Sequence, residues 1–198
     1  MGLTLRKGLP ASLRLQGVRL YWQAFGPKLG RVLGPEARAL IFLDRVIAAD
    51  QCLIALDERG LLLGLAGFKT TGGSFAGGTS ADLRAIYGWA GAIWRGGLLL
   101  RLNREIDRDC FLMDGLCVSE ANRGQGVGTA LLEALYDHAA TLGYRSIRLD
   151  VTDTNPRARA LYQRQGFVPT RTAHLGLLKH VFGFTSATTM QRPLKPAA

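Results

Sequence analysis

The chain has 198 residues, 47% of them hydrophobic and 20% charged. That is ample material for a core and excludes a disordered chain; the length predicts a single domain over 1–198, and the strands and helices along it make it α/β. The formal net charge is +10, yet the basic residues are dispersed and not interleaved with aromatics, so no nucleic acid is expected as a partner.

Residues 3–7 alternate enough for a first strand. Pro10-Ala-Ser opens a helix with Leu13, Leu20 and Ala24 at helical spacing, and Gly26-Pro27 is expected to stop it. A second helix starts at Pro35 and runs through Ala39, Leu40, Leu43 and Ile47. Apolar runs at 52–56 and 61–68 flank Asp57-Glu-Arg-Gly60, a hairpin signal. An uncharged glycine-rich loop at 72–78 precedes Ser80-Ala-Asp82, read as a helix cap. Helix is expected over 83–102 despite Gly88, Gly91, Gly96 and Gly97.

Residues 111–118 are apolar on both faces, the mark of a central strand. A helix over 129–142 places Leu132, Leu135, Tyr136 and Ala139 on one side and ends at Gly143. A strand at 146–151 follows. Asn155-Pro156 then caps a short helix ending at Gly166, and 167–172 and 187–194 read as two closing strands.

Three cysteines, Cys52, Cys110 and Cys117, lack the paired spacing of a disulfide framework or a zinc site, so a reduced compartment and no metal are expected. No stretch reaches the roughly 18 uncharged apolar residues of a membrane span. The first residues lack the apolar centre of a secretory signal. A cytoplasmic monomer or homodimer without a membrane partner is the expectation.

Between the central strand and its helix stands Arg123-Gly124-Gln125-Gly126-Val127-Gly128-Thr129. Alternating glycines let the backbone turn tightly and gather N–H groups at the positive end of the next helix, a site for phosphate or pyrophosphate; Arg123 adds a bidentate donor. A Walker loop would need Gly-Lys-Ser/Thr, which is missing. A dinucleotide-binding oxidoreductase is the competing reading: Asp150 ends the next strand where a ribose-binding acid would fall, although position 129 is not glycine.

This segment, continued by Thr-Ala-Leu-Leu, resembles the acyl-CoA signature of the GNAT superfamily of N-acetyltransferases, Arg/Gln-x-x-Gly-x-Gly/Ala. The second signature of that superfamily resembles Asn155-Pro-Arg-Ala-Arg-Ala-Leu-Tyr162-Gln-Arg-Gln-Gly166-Phe167. The resemblance implies a GNAT-like acyl-CoA N-acyltransferase fold, with a mixed sheet of six to seven strands flanked by helices and splayed between 111–118 and 146–151. It implies acetyl-CoA as co-substrate and transfer of the acetyl group directly to a primary amine of a small molecule or peptide. The acyl-CoA half would be 110–198 and the acceptor side 1–109.

Carried over residue by residue, the resemblance assigns backbone groups of Leu116, Cys117 and Val118 to the pantetheine arm. Arg123, Gly124, Gln125, Gly126, Val127, Gly128 and Thr129 would take the diphosphate. Asn155 would contact the cofactor while capping its helix, and Tyr162 would protonate the departing thiolate. Tyr162 also sits on a helical face with Ala158 and Leu161, where packing alone would account for it.

The period of two places Asp114 beside Leu112, Leu116 and Val118, and an acid among apolar neighbours gains the proton affinity of a base. A carboxylate paired to an arginine is the competing reading. Arg157 and Arg159 reach either the adenosine 3′-phosphate or solvent. His138, His174 and His180 are weaker bases, and Cys117 reads as a buried apolar residue in preference to a nucleophile. A catalytically silent acyl-CoA sensor would keep all of this except chemistry at Tyr162 and Asp114. Early helices, the 72–78 loop and the 175–184 segment are expected to wall the acceptor pocket, offering Phe25, Phe75, Trp89, Trp94, Phe182 and Phe184 and no acidic cluster.

Overall fold

The structure, a computed structural model, describes residues 2–101 and 109–194. Strand β1 (Thr4–Lys7) leads into helix α1 (Arg14–Leu33). The helix does not stop at Gly26-Pro27 but carries Pro27 inside it. A mid-helix proline costs about 3 kcal/mol. Val32 and Leu33, wholly buried beyond it, return roughly 1.5–3 kcal/mol each, which is why the chain continues helical to Gly34.

Helix α2 (Glu36–Val46) follows Pro35 as expected. Strands β2 (Cys52–Leu56) and β3 (Leu62–Thr70) form the hairpin. Asp57 closes its turn by accepting from the N–H groups of Arg59 and Leu61 at 2.9 and 2.8 Å. The glycine-rich loop is not wholly irregular: Gly73–Ser74 form a short strand, β4, on Thr70 and Lys69. Helix α3 (Ser80–Leu100) is capped one residue earlier than expected, by Thr79, in a reciprocal capping box with Asp82. It is kinked at Gly88, whose φ of 71° lies in the left-handed region.

The second half matches its expected order: strand β5 (Cys110–Val118), helix α4 (Val127–Thr141), strand β6 (Ser146–Thr152), helix α5 (Pro156–Arg164), strand β7 (Val168–His174), the single-turn helix α6 (Lys179–Phe182) and strand β8 (Ser186–Pro193). The described residues form one sheet of eight strands, more than the six to seven expected because of the short β4. Its order is β1-β2-β3-β5-β6-β8-β7, with β4 beside β3. Every pair is antiparallel except β5 with β6.

Helix α4 covers one face, packing Leu131, Leu132, Leu135 and Ala139 against Phe68, Phe111, Met113 and Ile147. Helices α1 and α2 cover the other, with Val18, Tyr21 and Leu43 over Ile54, Leu65, Phe75 and Cys117. Two irregularities in β5 set up the site. Its pairing with β6 ends after Leu112↔Arg148, so the two strands separate beyond that point. Its register with β3 jumps from Gly67↔Gly115 to Phe68↔Met113, which leaves Asp114 as the extra residue of a β-bulge.

Candidate active site

Two cavities meet at the C-terminal half of β5. The larger, about 1040 Å³, fills the gap that opens between β5 and β6. The smaller, about 590 Å³, lies between α1, the β3–β4 corner and α3. Phe25, Lys28 and Asp114 line both.

The wall of the larger cleft is mostly backbone. Ser119 donates its N–H to the Leu63 carbonyl at 2.9 Å, which fixes the alternation of the strand. Cys117, facing Leu65 in the same register, therefore directs its peptide groups toward β3, and those of Leu116 and Val118 point into the gap. Of the three residues expected to offer backbone groups there, Leu116 and Val118 do so. Cys117 lines the cleft as well, but its side chain is buried on the α1 side.

At the cleft's floor Gly124 and Gly126 adopt φ of 78° and 84°, and Gly126 is the residue from which α4 starts. A side chain at either position would be strained. The first-turn N–H groups of α4 have no acceptor within the helix and carry its positive end. Gly124, Gly126, Gly128 and Thr129 all line the cleft, as does Arg123. Arg123 is half exposed, with Nε donating to the Val118 carbonyl at 3.4 Å and Nη1 3.9 Å from Glu120. Two expected members turn away. Gln125 folds its amide back onto the Ala121 carbonyl at 3.0 Å, and Val127 buries its side chain in the core beneath α4. Each retains only its main chain for a ligand.

Helix α5 forms the far wall. Asn155 caps it, accepting from the Ala158 N–H at 3.1 Å, and also lines the cleft. Arg157 and Arg164 line it too, whereas Arg159 is exposed outside it. Residues seven apart share a helix face and residues two apart do not, so of the arginine pair weighed from the sequence the structure brings Arg157 in and leaves Arg159 out.

Tyr162 lines the cleft from α5 and is buried, its ring edge-on to Phe167 at 5.8 Å. Burial pushes its hydroxyl well above the usual tyrosine range, with Cys117 and Tyr136 adding to the shift. The phenol is therefore protonated at any physiological pH. Cys117 is pushed up in the same direction, chiefly by burial. Such a thiol is the opposite of an activated nucleophile, in line with its reading as a buried apolar residue.

Asp114 is where the sequence pattern misleads. Strict alternation placed it with Leu116 and Val118, but the bulge turns it to the other face. Leu116 and Val118 pack toward α4, and Asp114 lines the smaller cavity with Leu112. There it accepts a hydrogen bond from Ser74 Oγ at 3.0 Å and one from the Ala76 N–H at 3.4 Å. Its partners are a hydroxyl and a main-chain amide of the β4 corner, not an arginine.

The expected pocket walls are partly redistributed. Helix α1 and the glycine-rich loop do wall the smaller cavity, but Phe182 and Phe184 line the larger one. Phe75 is wholly buried, and Trp89 and Trp94 lie on the outer surface of α3. His174 and His180 are exposed; the His138 ring packs at a tilt against Phe68, with centroids 5.1 Å apart. Sequence reasoning missed Ala24, Pro27 and Lys28, because α1 was expected to end before crossing β5. Gly115 was the available signal: a Cβ there would come within 2.7 Å of Phe25, so only glycine admits the helix so close.

Comparison with known proteins agrees with this geometry. A sequence model of the Acetyltransferase (GNAT) family matches residues 18–167. Among curated proteins, none matches the sequence. Among solved structures, an N-acetyltransferase from Staphylococcus aureus Mu50 is similar with a TM-score of 0.69 at 14% identity, over 96% of this chain and 100% of that one. A GNAT superfamily phosphinothricin acetyltransferase from Sinorhizobium meliloti, solved in complex with AcCoA, gives 0.61 at 21% identity, over 100% and 94%. Ard1 from Thermoplasma volcanium gives 0.63 at 16%, over 98% and 99%. The largely antiparallel sheet is also not the parallel, doubly wound sheet on which a dinucleotide-binding oxidoreductase is built. The chain belongs to the acetyltransferase (GNAT) family and is an acyl-CoA-dependent N-acetyltransferase with acetyl-CoA as its co-substrate.

Proposed function

We propose that the enzyme moves the acetyl group directly onto a primary amine held in the smaller cavity, the acceptor being a small molecule or a peptide N-terminus. The observation that carries this reading is the position of Asp114, which lines both cavities at their junction. A neutral amine attacks the thioester carbonyl, the carbon–sulfur bond breaks, and the amine's surplus proton passes to Asp114, directly or through water. Tyr162 gives its hydroxyl proton to the departing thiolate and is reprotonated from solvent. Peptide groups of Leu116 and Val118 pair with the pantetheine arm. The main chain of 124–128, the start of α4 and Arg123 hold the diphosphate, and Asn155 adds its side-chain amide.

The lining of the smaller cavity favours an amine with an apolar body. Leu29, Leu33, Phe42 and Leu83 line it together with Thr70, Ser74 and Thr79. Among the described lining residues Asp114 is the one carboxylate, against Lys28 and Lys69, which disfavours a polycation. In this reading 1–109 provides most of the acceptor side and 110–198 most of the acyl-CoA side. The test is CoA-thiol release across a panel of amines with wild type and Asp114→Asn. The variant is expected to lower kcat about 100-fold with acetyl-CoA affinity nearly unchanged; equal turnover removes Asp114 from the mechanism.

A further inference from the structure

Helix α3 carries an apolar stripe that the described fold leaves uncovered. Trp89 is 70% exposed, Ile93 73%, Trp94 45% and Leu100 69%. Trp89, Ile93 and Leu100 recur at helical spacing and so share one side, with Trp94 next to them. The opposite side, with Leu83, Tyr87 and Ala92, is packed on Leu33 of α1 and Phe42 of α2. A contiguous exposed surface of this kind, built of large side chains, marks a place of contact.

The rim of the stripe is basic. Arg84 lies over the Trp89 ring, 4.5 Å from its centroid. Arg95 is held between Tyr87 and Trp94 at 4.2 and 4.1 Å, and exposed Arg101 follows the last turn. The helix's acid, Asp82, is engaged in the first turn by Thr79 and Arg45. An occupant must therefore offer an apolar phase and negative charge together.

A second copy of the chain supplies the first but sets a net charge of +10 against itself. A nucleic acid supplies the second but gives Ile93 and Leu100 nothing apolar to enter. An anionic lipid surface supplies both, and tryptophan and arginine are the residues that suit its headgroup layer. We propose that α3 is an interfacial docking helix that lays Trp89, Ile93 and Leu100 on an anionic bilayer surface.

Such a helix lies in the plane of the interface and does not cross it; among the described residues no helix is long and apolar enough to cross. Leu100 lines the smaller cavity as well as the stripe, so docking brings that cavity to the lipid. The inference stands apart from the transfer chemistry proposed above.

The test is co-flotation of the full-length protein with vesicles of phosphatidylcholine alone and of equimolar phosphatidylcholine and phosphatidylglycerol, at low and high salt. The protein floats with the anionic vesicles, tryptophan emission shifts to the blue, and salt releases it. A Trp89→Ser, Ile93→Ser double variant lowers vesicle affinity by at least about tenfold, with melting temperature and acetyl-CoA affinity close to those of wild type. Failure to float with the anionic vesicles at low salt overturns the proposal. Flotation that the double variant leaves intact overturns it too, as does a concentration-dependent dimer in sedimentation velocity that the double variant dissolves.

Discussion

The two cavities that meet at Asp114 are made from different materials. The larger is walled by main chain: a strand edge released from its neighbour, left-handed glycines and the start of a helix. The smaller is walled by side chains drawn from α1, the β3–β4 corner and α3. A backbone site needs particular residues at fixed spacing, since only glycine tolerates its φ values. A side-chain site needs only a shape and a polarity, which many sequences supply. The first therefore announces its ligand and the second does not.

The sharpest way to probe the backbone side is to change chemistry without changing grip. Tyr162→Phe is expected to lower kcat about 100-fold while acetyl-CoA affinity by calorimetry stays nearly constant; a matched loss of affinity would make Tyr162 a packing residue. Next in size, Gly126→Val forces a branched side chain into the left-handed region. It costs roughly 1–2 kcal/mol of stability and should weaken acetyl-CoA binding about tenfold or more, with amine recognition untouched. Loss of amine selectivity in that variant would show that the two cavities are not separable.

Smaller effects sharpen the contrast further. Cys117→Ala removes a buried thiol and should cost about 1 kcal/mol of stability with kcat nearly unchanged, because transfer is direct; a large fall in kcat would instead call for an acetyl-cysteine. The smallest concerns His138, whose pKa burial lowers from the ordinary 6.5, with Lys7 adding to the shift. The folded state then binds fewer protons than the unfolded chain, so this contribution is complete above that pH and declines as the pH falls through it. His138→Gln should flatten the fall of melting temperature between neutral and mildly acidic pH.

Legibility followed the same division. The hairpin, β5, α4 and the Asn155 cap could be read because each rests on local pattern: apolar runs around a turn, helical spacing, a capping side chain before proline. The glycine loop was legible for the same reason. What escaped depended on tertiary partners. Pro27 gave every local reason to end α1, but the burial of Val32 and Leu33 overrode it, and with the continued helix came Lys28 as a wall of both cavities. The face of Asp114 was misassigned because alternation assumes an unbroken register, and the bulge shows only in the pairing with β3. Arg157 and Arg159 were read together, as neighbours at the start of one helix, whereas reach into the cleft depends on helix phase and brings in Arg157 and Arg164.

The extra residue in β5 has a genetic corollary. Met113 and Leu116 stand three apart yet both pack toward α4, because residue 114 is extra in the strand; removing it would straighten β5 into regular alternation. Phe111 and Met113 would stay under α4, in step with Leu116 and Val118, and the carboxylate alone would be lost. A single-codon deletion there is thus expected to leave the fold standing while abolishing the role of the carboxylate, and insertions at the exposed residues 58–60 should likewise be tolerated. The carboxylate at the junction is held in place by chain length as much as by chemistry.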